Sequence, residues 1–165
     1  MSEAEIDRFV SDLDYPMFIA TVATVAAGQE SRSGCLVGFV TQCSIDPARF
    51  LVCISKTNHT YPVACEAEVL ALHLLDSSQR QLAALFGEST GDEIDKFATV
   101  AWQPGPDGVP LLTDCPGWVV GDILELVDLG DHVGFVIRPT KVSTTADTDP
   151  LRFSQVRDLN AGHSP

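Results

Sequence analysis

Apolar residues recur along this chain with two periods, and each period marks a different kind of element. Ile6, Phe9, Val10 and Leu13 fall three or four apart, so residues 3–13 are expected to form a short amphipathic helix laid on the domain. From Phe18 the composition turns β-branched and apolar, and residues 18–25 predict a strand ending at the turn-forming residues 27–30. Residues 35–43 and 50–55 predict the next two strands, joined by a turn at Asp46-Pro47. Thr60-Tyr61-Pro62 sets a capping hydroxyl ahead of a first-turn proline, predicting a helix that runs to about Glu66.

Residues 69–75 again read as a strand. Capping boxes at Ser78-x-x-Gln81 and at residues 90–93 precede Leu82, Leu85 and Phe86, and then Ile94, Phe97 and Ala98. The prolines at 104, 106 and 110 predict a loop. Residues 118–127 and 132–137 predict an antiparallel pair around Gly130-Asp131. Long antiparallel strands with short helices between them favour a mainly β domain, a β-barrel with short peripheral helices, or an α+β domain, over a parallel sheet. At 165 residues a single domain is expected. Residues 1–14 would be the helix packed on it, 15–142 the domain itself, and 143–165 an extension completing it with flexible last residues.

Charge narrows the possible partners. The formal net charge is −13 and the pI about 4.4, which argues against nucleic acid and against an anionic membrane surface. No stretch approaches the ~18 apolar residues of a membrane helix, and the N-terminus is acidic where a signal peptide is basic. A cytoplasmic location is expected. The cysteines are Cys35, Cys43, Cys53, Cys65 and Cys115, an odd set with no Cys-x-x-Cys pair, and they read as free buried thiols. Cys65 and His73 match no zinc spacing, so no metal is expected.

Three segments carry candidate chemistry. Ser55, Lys56, Thr57, Asn58, His59 and Thr60 gather polar side chains and a cation just before a helix N-terminus, where exposed N–H groups favour an anion. The alternative is a solvated loop with an N-cap. Val37, Gly38, Phe39, Val40, Thr41 and Gln42 put a glycine inside a strand pattern, marking either close approach of backbone to a ligand or a simple sheet bend. His132 follows Gly130-Asp131. A histidine there can position or protonate a substrate, with Asp131 orienting it, or can be an ordinary turn residue. Neither a G-x-G-x-x-G fingerprint nor a P-loop is present.

In order, these segments resemble the flavin reductase family with the FMN-binding split-barrel fold, the small reductase components of two-component flavin monooxygenases. Ser44-Ile-Asp-Pro47 is similar to the family's Ser-Leu-x-Pro-Pro, and Cys53-Ile-Ser-Lys56 to the strand entering its phosphate loop. Gln79 to Ala83, Leu85-Phe86-Gly87, Asp95-Lys96-Phe97, Gly108 to Leu111, Trp118, Gly130-Asp131-His132 and Pro150-Leu-Arg-Phe153 follow in the family's order. Two departures stand out: Leu36-Val37-Gly38-Phe39 replaces a polar Thr-x-Asn-Ser run, and Val120-Gly121 replaces acidic and cysteine positions.

The resemblance implies an NAD(P)H:flavin oxidoreductase, a homodimer with FMN (or FAD) as flavin, NADH or NADPH as donor, and an oxygenase as partner. It implies that residues 37–42 face the flavin ring and ribityl chain, that residues 55–60 hold the phosphate, and that Phe86 and Gly87 line the rim. His132 would meet the nicotinamide. The alternatives on the same barrel are a non-catalytic flavin or haem carrier, a redox sensor, or a deazaflavin-dependent reductase.

Overall fold

In the computed structural model, residues 1–89, 94–145 and 147–162 are described. An N-terminal helix, α1 (Glu3–Ser11), precedes the strands β1 (Phe18–Ala26), β2 (Gln29–Val37), β3 (Val40–Ser44) and β4 (Arg49–Ser55). Helix α2 (Thr60–Glu66), strand β5 (Val69–Leu74) and helix α3 (Arg80–Glu88) follow. The short strands β6 (Trp102–Pro104) and β7 (Pro110–Leu112) lead to the long pair β8 (Gly117–Asp128) and β9 (His132–Thr144). Seven strands form one sheet in the order β2-β1-β5-β8-β9-β4-β3, with every neighbour antiparallel, while β6 and β7 pair separately.

The sheet rolls up on itself. Cys35 and Val37 of β2, near one edge, share a single core with Val52 and Ile54 of β4 and with Phe135 and Ile137 of β9, near the other. A flat sheet would keep those strands far apart, so the shared core requires strong coiling, and the result is the open barrel expected from the strand pattern. The two edge strands, β2 and β3, are not paired with each other, so the barrel stays split. Helix α2 caps one end through Ala64, Tyr61 and Val63. A second core lies outside the roll. There Met17 and Ile19 pack with Ala83 and Phe86 of α3, with Phe97, and with Leu151 and Val156 of the tail.

Several expectations need correction. Helix α1 forms, but every residue from 1 to 14 is exposed, with Phe9 at 70%, so its apolar stripe does not lie on the domain. The strand expected over 35–43 is two strands broken at Gly38-Phe39, and β2 begins at Gln29, within the segment read as a turn. The helix-capping position is His59 rather than Thr60, and the Thr60 N–H donates to Asn58 Oδ1 at 2.8 Å. Ser78 binds Asp76 instead of closing a box with Gln81. The box expected at 90–93 and the last residues, expected to be flexible, lie outside the described residues; a 3-10 turn at Lys96–Ala98 follows the former. The proline-rich loop is a hairpin, β6–β7. Cys43 and Cys65 are exposed rather than buried. The tail is tied in by backbone bonds: the Met17 N–H donates to Leu151, Leu151 to Leu75, and Phe153 to Tyr15. Among the described residues no helix is long and apolar enough to cross a membrane.

Two buried polar groups dock the β6–β7 hairpin onto the sheet. Thr21 Oγ1 donates to the Pro110 carbonyl at 2.6 Å. His73, wholly buried, is held at both ring nitrogens. Its Nδ1 faces the Ile19 carbonyl at 3.1 Å, which can only accept, and its Nε2 accepts the Leu112 N–H at 3.0 Å. That pattern fixes the neutral tautomer with the proton on Nδ1.

Burial pushes the His73 pKa from 6.5 down to about 4. Between these values the unfolded chain binds a proton at His73 and the folded chain does not, so stability rises with pH across the window. Acidification from pH 6.5 to 4 is expected to remove on the order of 3 kcal/mol of stability through this residue. Urea unfolding at stepped pH checks this. His73→Gln should be less stable at neutral pH and show a shallower pH slope than wild type.

Candidate functional site

Only Gly38 and Phe39 separate β2 from β3, and the turn is tight: the Val40 N–H donates to the Gly38 carbonyl at 2.9 Å. The Cys53 N–H of β4 donates to the Phe39 carbonyl, also at 2.9 Å, so the turn runs straight on into the β3–β4 ladder. A side chain at position 38 has nowhere to go. A Cβ there would lie 2.4 Å from Tyr15 Cε2 and 3.2 Å from Met17 Sδ. The glycine therefore serves close approach, and the group approaching is the ring of Tyr15. That ring stacks on Phe153 (centroids 5.0 Å, 16° between planes) and meets Phe39 edge-to-face at 5.9 Å.

Beside this turn opens a cavity of about 300 Å³, at the lower end of the range for small-molecule sites. Its walls are Met17, Cys35, Leu36, Val37, Gly38, Cys53 and Ile54, with Tyr15, Phe39 and Phe153 as aromatic faces. Ser55, Asn58 and His132 supply polar groups. A neighbouring space of about 180 Å³ shares Met17, Leu36, Asn58 and Phe153, and adds Phe86 and Gly87. A third, more polar space of about 290 Å³ lies against Ser31, Arg32, Ser33, His59 and Lys96. Thr60 is buried, with its hydroxyl 2.9 Å from Ser33 Oγ. The loop 55–60 therefore touches all three spaces, Asn58 facing two of them and His59 the third.

His132 begins β9 directly across from Ser55 of β4. Its Nδ1 lies 2.8 Å from Asp131 Oδ1. That bond holds Asp131 below the usual carboxylate range, so Asp131 is an acceptor and Nδ1 carries the proton. Nε2 is left to accept or, when the ring is charged, to donate.

The structure thus gathers Val37, Gly38, Phe39, Ser55, Asn58, Phe86, Gly87 and His132 around two adjoining spaces, with His59 at the third. It does not bring Lys56, Thr41 or Gln42 to them. Lys56 points outward, and its ammonium pairs with Asp128 at 2.8 Å, a bond that raises its pKa. Thr41 and Gln42 are exposed on β3 and bond to backbone carbonyls of their own strand. Thr57 is exposed, with its hydroxyl 3.0 Å from Ser55 Oγ.

Sequence reasoning missed three residues. Tyr15 and Phe153 have no local signal, because their contact joins opposite ends of the chain. Lys96 has one: a lone lysine between Asp95 and Phe97 in an acidic chain. It is buried, its ammonium 3.2 Å from both the Gly34 and Phe86 carbonyls and 5.3 Å above the Phe86 ring. Burial lowers its pKa. Arg32 lies over Trp102, 4.7 Å from the ring centre, on the same third space. The cavity thiol Cys35 is pushed up to about 11 by burial, so it is no thiolate nucleophile.

The tight fit at Gly38 predicts a coupled pair. Gly38→Ala is expected to destabilise the fold by about 1–3 kcal/mol through overpacking against Tyr15. In a Tyr15→Ala background the same change should cost much less, and a double-mutant cycle by urea unfolding reads the difference.

Comparison with known proteins agrees with this architecture. Residues 13–160 match the flavin reductase like domain family. The stachydrine N-demethylase reductase subunit Stc3 of Rhizobium meliloti is 32% identical over 124 residues, covering 73% of this chain and 52% of that protein. A second relative from the same organism is matched over 39% of its length, so the chain spans about half or less of these two relatives. The FMN reductase (NADH) RutF of an Enterobacter strain is 29% identical over 131 residues, covering 74% of this chain and 79% of RutF. Among solved structures, the NADH:FAD oxidoreductase SgcE6 of Streptomyces globisporus superposes with a TM-score of 0.82 at 21% identity. The match covers 99% of this chain and 90% of that one, and it shows the shared fold. With nearly its whole length matched, the chain belongs to the flavin reductase like domain family.

Proposed function

We propose that this chain is an NAD(P)H-dependent flavin oxidoreductase, passing hydride from a nicotinamide to FMN, or to FAD, and supplying reduced flavin to a partner monooxygenase. The observation that carries this reading is the apolar cavity between the β2–β3 turn and the β4–β9 strands, with His132 at its edge and one ring nitrogen left open by Asp131. The donor set fits a flavin. Flat apolar walls suit a ring system, while Ser55, Asn58 and turn backbone can meet its polar edges. Lys96 and Arg32, in the third space, supply positive charge near the loop in an otherwise acidic chain. The names of the relatives, FMN reductase and NADH:FAD oxidoreductase, support the same pairing of flavin and nicotinamide. The reductase-subunit name of Stc3 supports a separate oxidising partner.

When bound, the flavin supplies the acceptor for the hydride. The chain's own part is orientation and exclusion of water. His132 Nε2 meets the nicotinamide carboxamide, and Asp131 keeps the imidazole in the tautomer and orientation that contact needs. Lys56 acts on the hairpin rather than on phosphate: its N–H donates to the Asp131 carbonyl at 2.9 Å, and its ammonium holds Asp128. A second copy of the chain would cover the exposed Ile6, Phe9, Val10 and Leu13 of the N-terminal stripe, making a homodimer. A solution mass near twice 17.7 kDa is expected, and a monomer would overturn that part.

The test is NAD(P)H oxidation by purified, dialysed protein with and without added FMN. Flavin-dependent turnover is expected, and its absence would sink the reading. His132→Ala should lower turnover about tenfold or more while changing FMN affinity by no more than about twofold. Equal loss of both would remove His132 from the role assigned here.

A further inference from the structure

Phe39 is half exposed, yet it is not loosely held. Its carbonyl accepts from Cys53 at 2.9 Å, its ring meets Tyr15 edge-to-face at 5.9 Å, and Tyr15 is braced by its stack on Phe153. The ring also lies 5.3 Å from the His132 imidazole, tilted by 52°. A large apolar ring held in place yet half exposed contributes little to the core of this chain. Its surroundings suit it to receive a planar ligand instead.

We propose that Phe39 is a substrate-binding residue for the hydride donor: its face receives the nicotinamide ring that His132 orients, and so governs affinity for the nicotinamide rather than for the flavin. This rests on the oxidoreductase reading above. The geometry selects the nicotinamide for two reasons. His132 has one open nitrogen, Nε2, so a ring engaging it sits beside the imidazole, and Phe39 is the aromatic ring in contact with that imidazole. Phe39 is also the most exposed of the aromatic rings lining the cavity, at 51%, whereas the inner walls are made by Met17, Cys35, Val37 and Ile54. The flavin ring belongs to those inner walls, and the outer ligand meets Phe39. An oxidised nicotinamide is a flat cation, and the face of a benzene ring attracts both its plane and its charge. Product as well as substrate is therefore held here.

The position also explains Gly38. Without a side chain there, Tyr15 comes up against the turn and meets the Phe39 ring.

The experiment compares wild type, Phe39→Ala and Phe39→Tyr in two assays: steady-state NAD(P)H oxidation with FMN in excess, and calorimetric binding of NAD+. Thermal melting confirms that each variant is folded. Phe39→Ala is expected to raise the nicotinamide KM and the NAD+ dissociation constant about five- to tenfold, with kcat and FMN affinity changed by less than about twofold. Phe39→Tyr, which keeps the ring, should restore both. Unchanged nicotinamide constants in Phe39→Ala overturn the proposal. So does a parallel loss of FMN affinity, which would make the ring part of the flavin wall. If wild type itself consumes no NAD(P)H with flavin, the oxidoreductase reading falls and this inference falls with it.

Discussion

The two-residue link Gly38-Phe39 joins β2 and β3, strands that lie at opposite edges of the sheet order. Rolling of the sheet is what allows it, and the cavity is its consequence. Because the roll brings the end of β2 against β4 and β9, an apolar turn, a polar loop and a histidine from three distant segments meet around one space. The turn can come this close because residue 38 lacks a side chain, and Tyr15 occupies the room so created. Packing, not local propensity, sets the shape of the site.

Electrostatics then sort the charged groups into two kinds. Lys56 and Asp128 form an exposed pair that solvent screens, so their value lies in holding the hairpin before His132 rather than in stability. Lys96 is the opposite case. It is buried against two carbonyls and an aromatic ring, in a chain whose net charge is −13. A cation kept out of water in this way is costly unless it meets a partner, and an anionic ligand group in the adjoining space would be one.

Much of the fold was legible in the chain. The strands around Phe18–Ala26, Val69–Leu74 and the β8–β9 pair stood out because β-branched and apolar residues alternate with clear turn signals. The first half of β2 was hidden because it is exposed and polar at the sheet edge, held by pairing to β1 rather than by burial. Helix α1 was legible as a helix, but amphipathicity says only that a face seeks cover, not that this domain supplies it.

For the site, the structure brings some of the expected side chains to one set of adjoining spaces and leaves others away from it. Lys56 read as a phosphate ligand because nothing local reveals Asp128, its partner 72 residues away. Thr41 and Gln42 fell on the wrong side of the break at Gly38-Phe39. Tyr15 and Phe153 could not be found at all, since only the rolled sheet and the returning tail bring them together.

We place the flavin in the space bounded by the β2–β3 turn and the loop 55–60, and Asn58 offers a direct test of that placement. Asn58→Asp keeps the carbonyl-type acceptor that caps Thr60, so α2 retains its start, while placing a negative charge against two of the spaces. Titration of FMN, read by quenching of flavin fluorescence, should show saturable binding to wild type and affinity weakened by about tenfold or more in the variant. An identical isotherm for the two proteins, or no binding to wild type, would contradict the account.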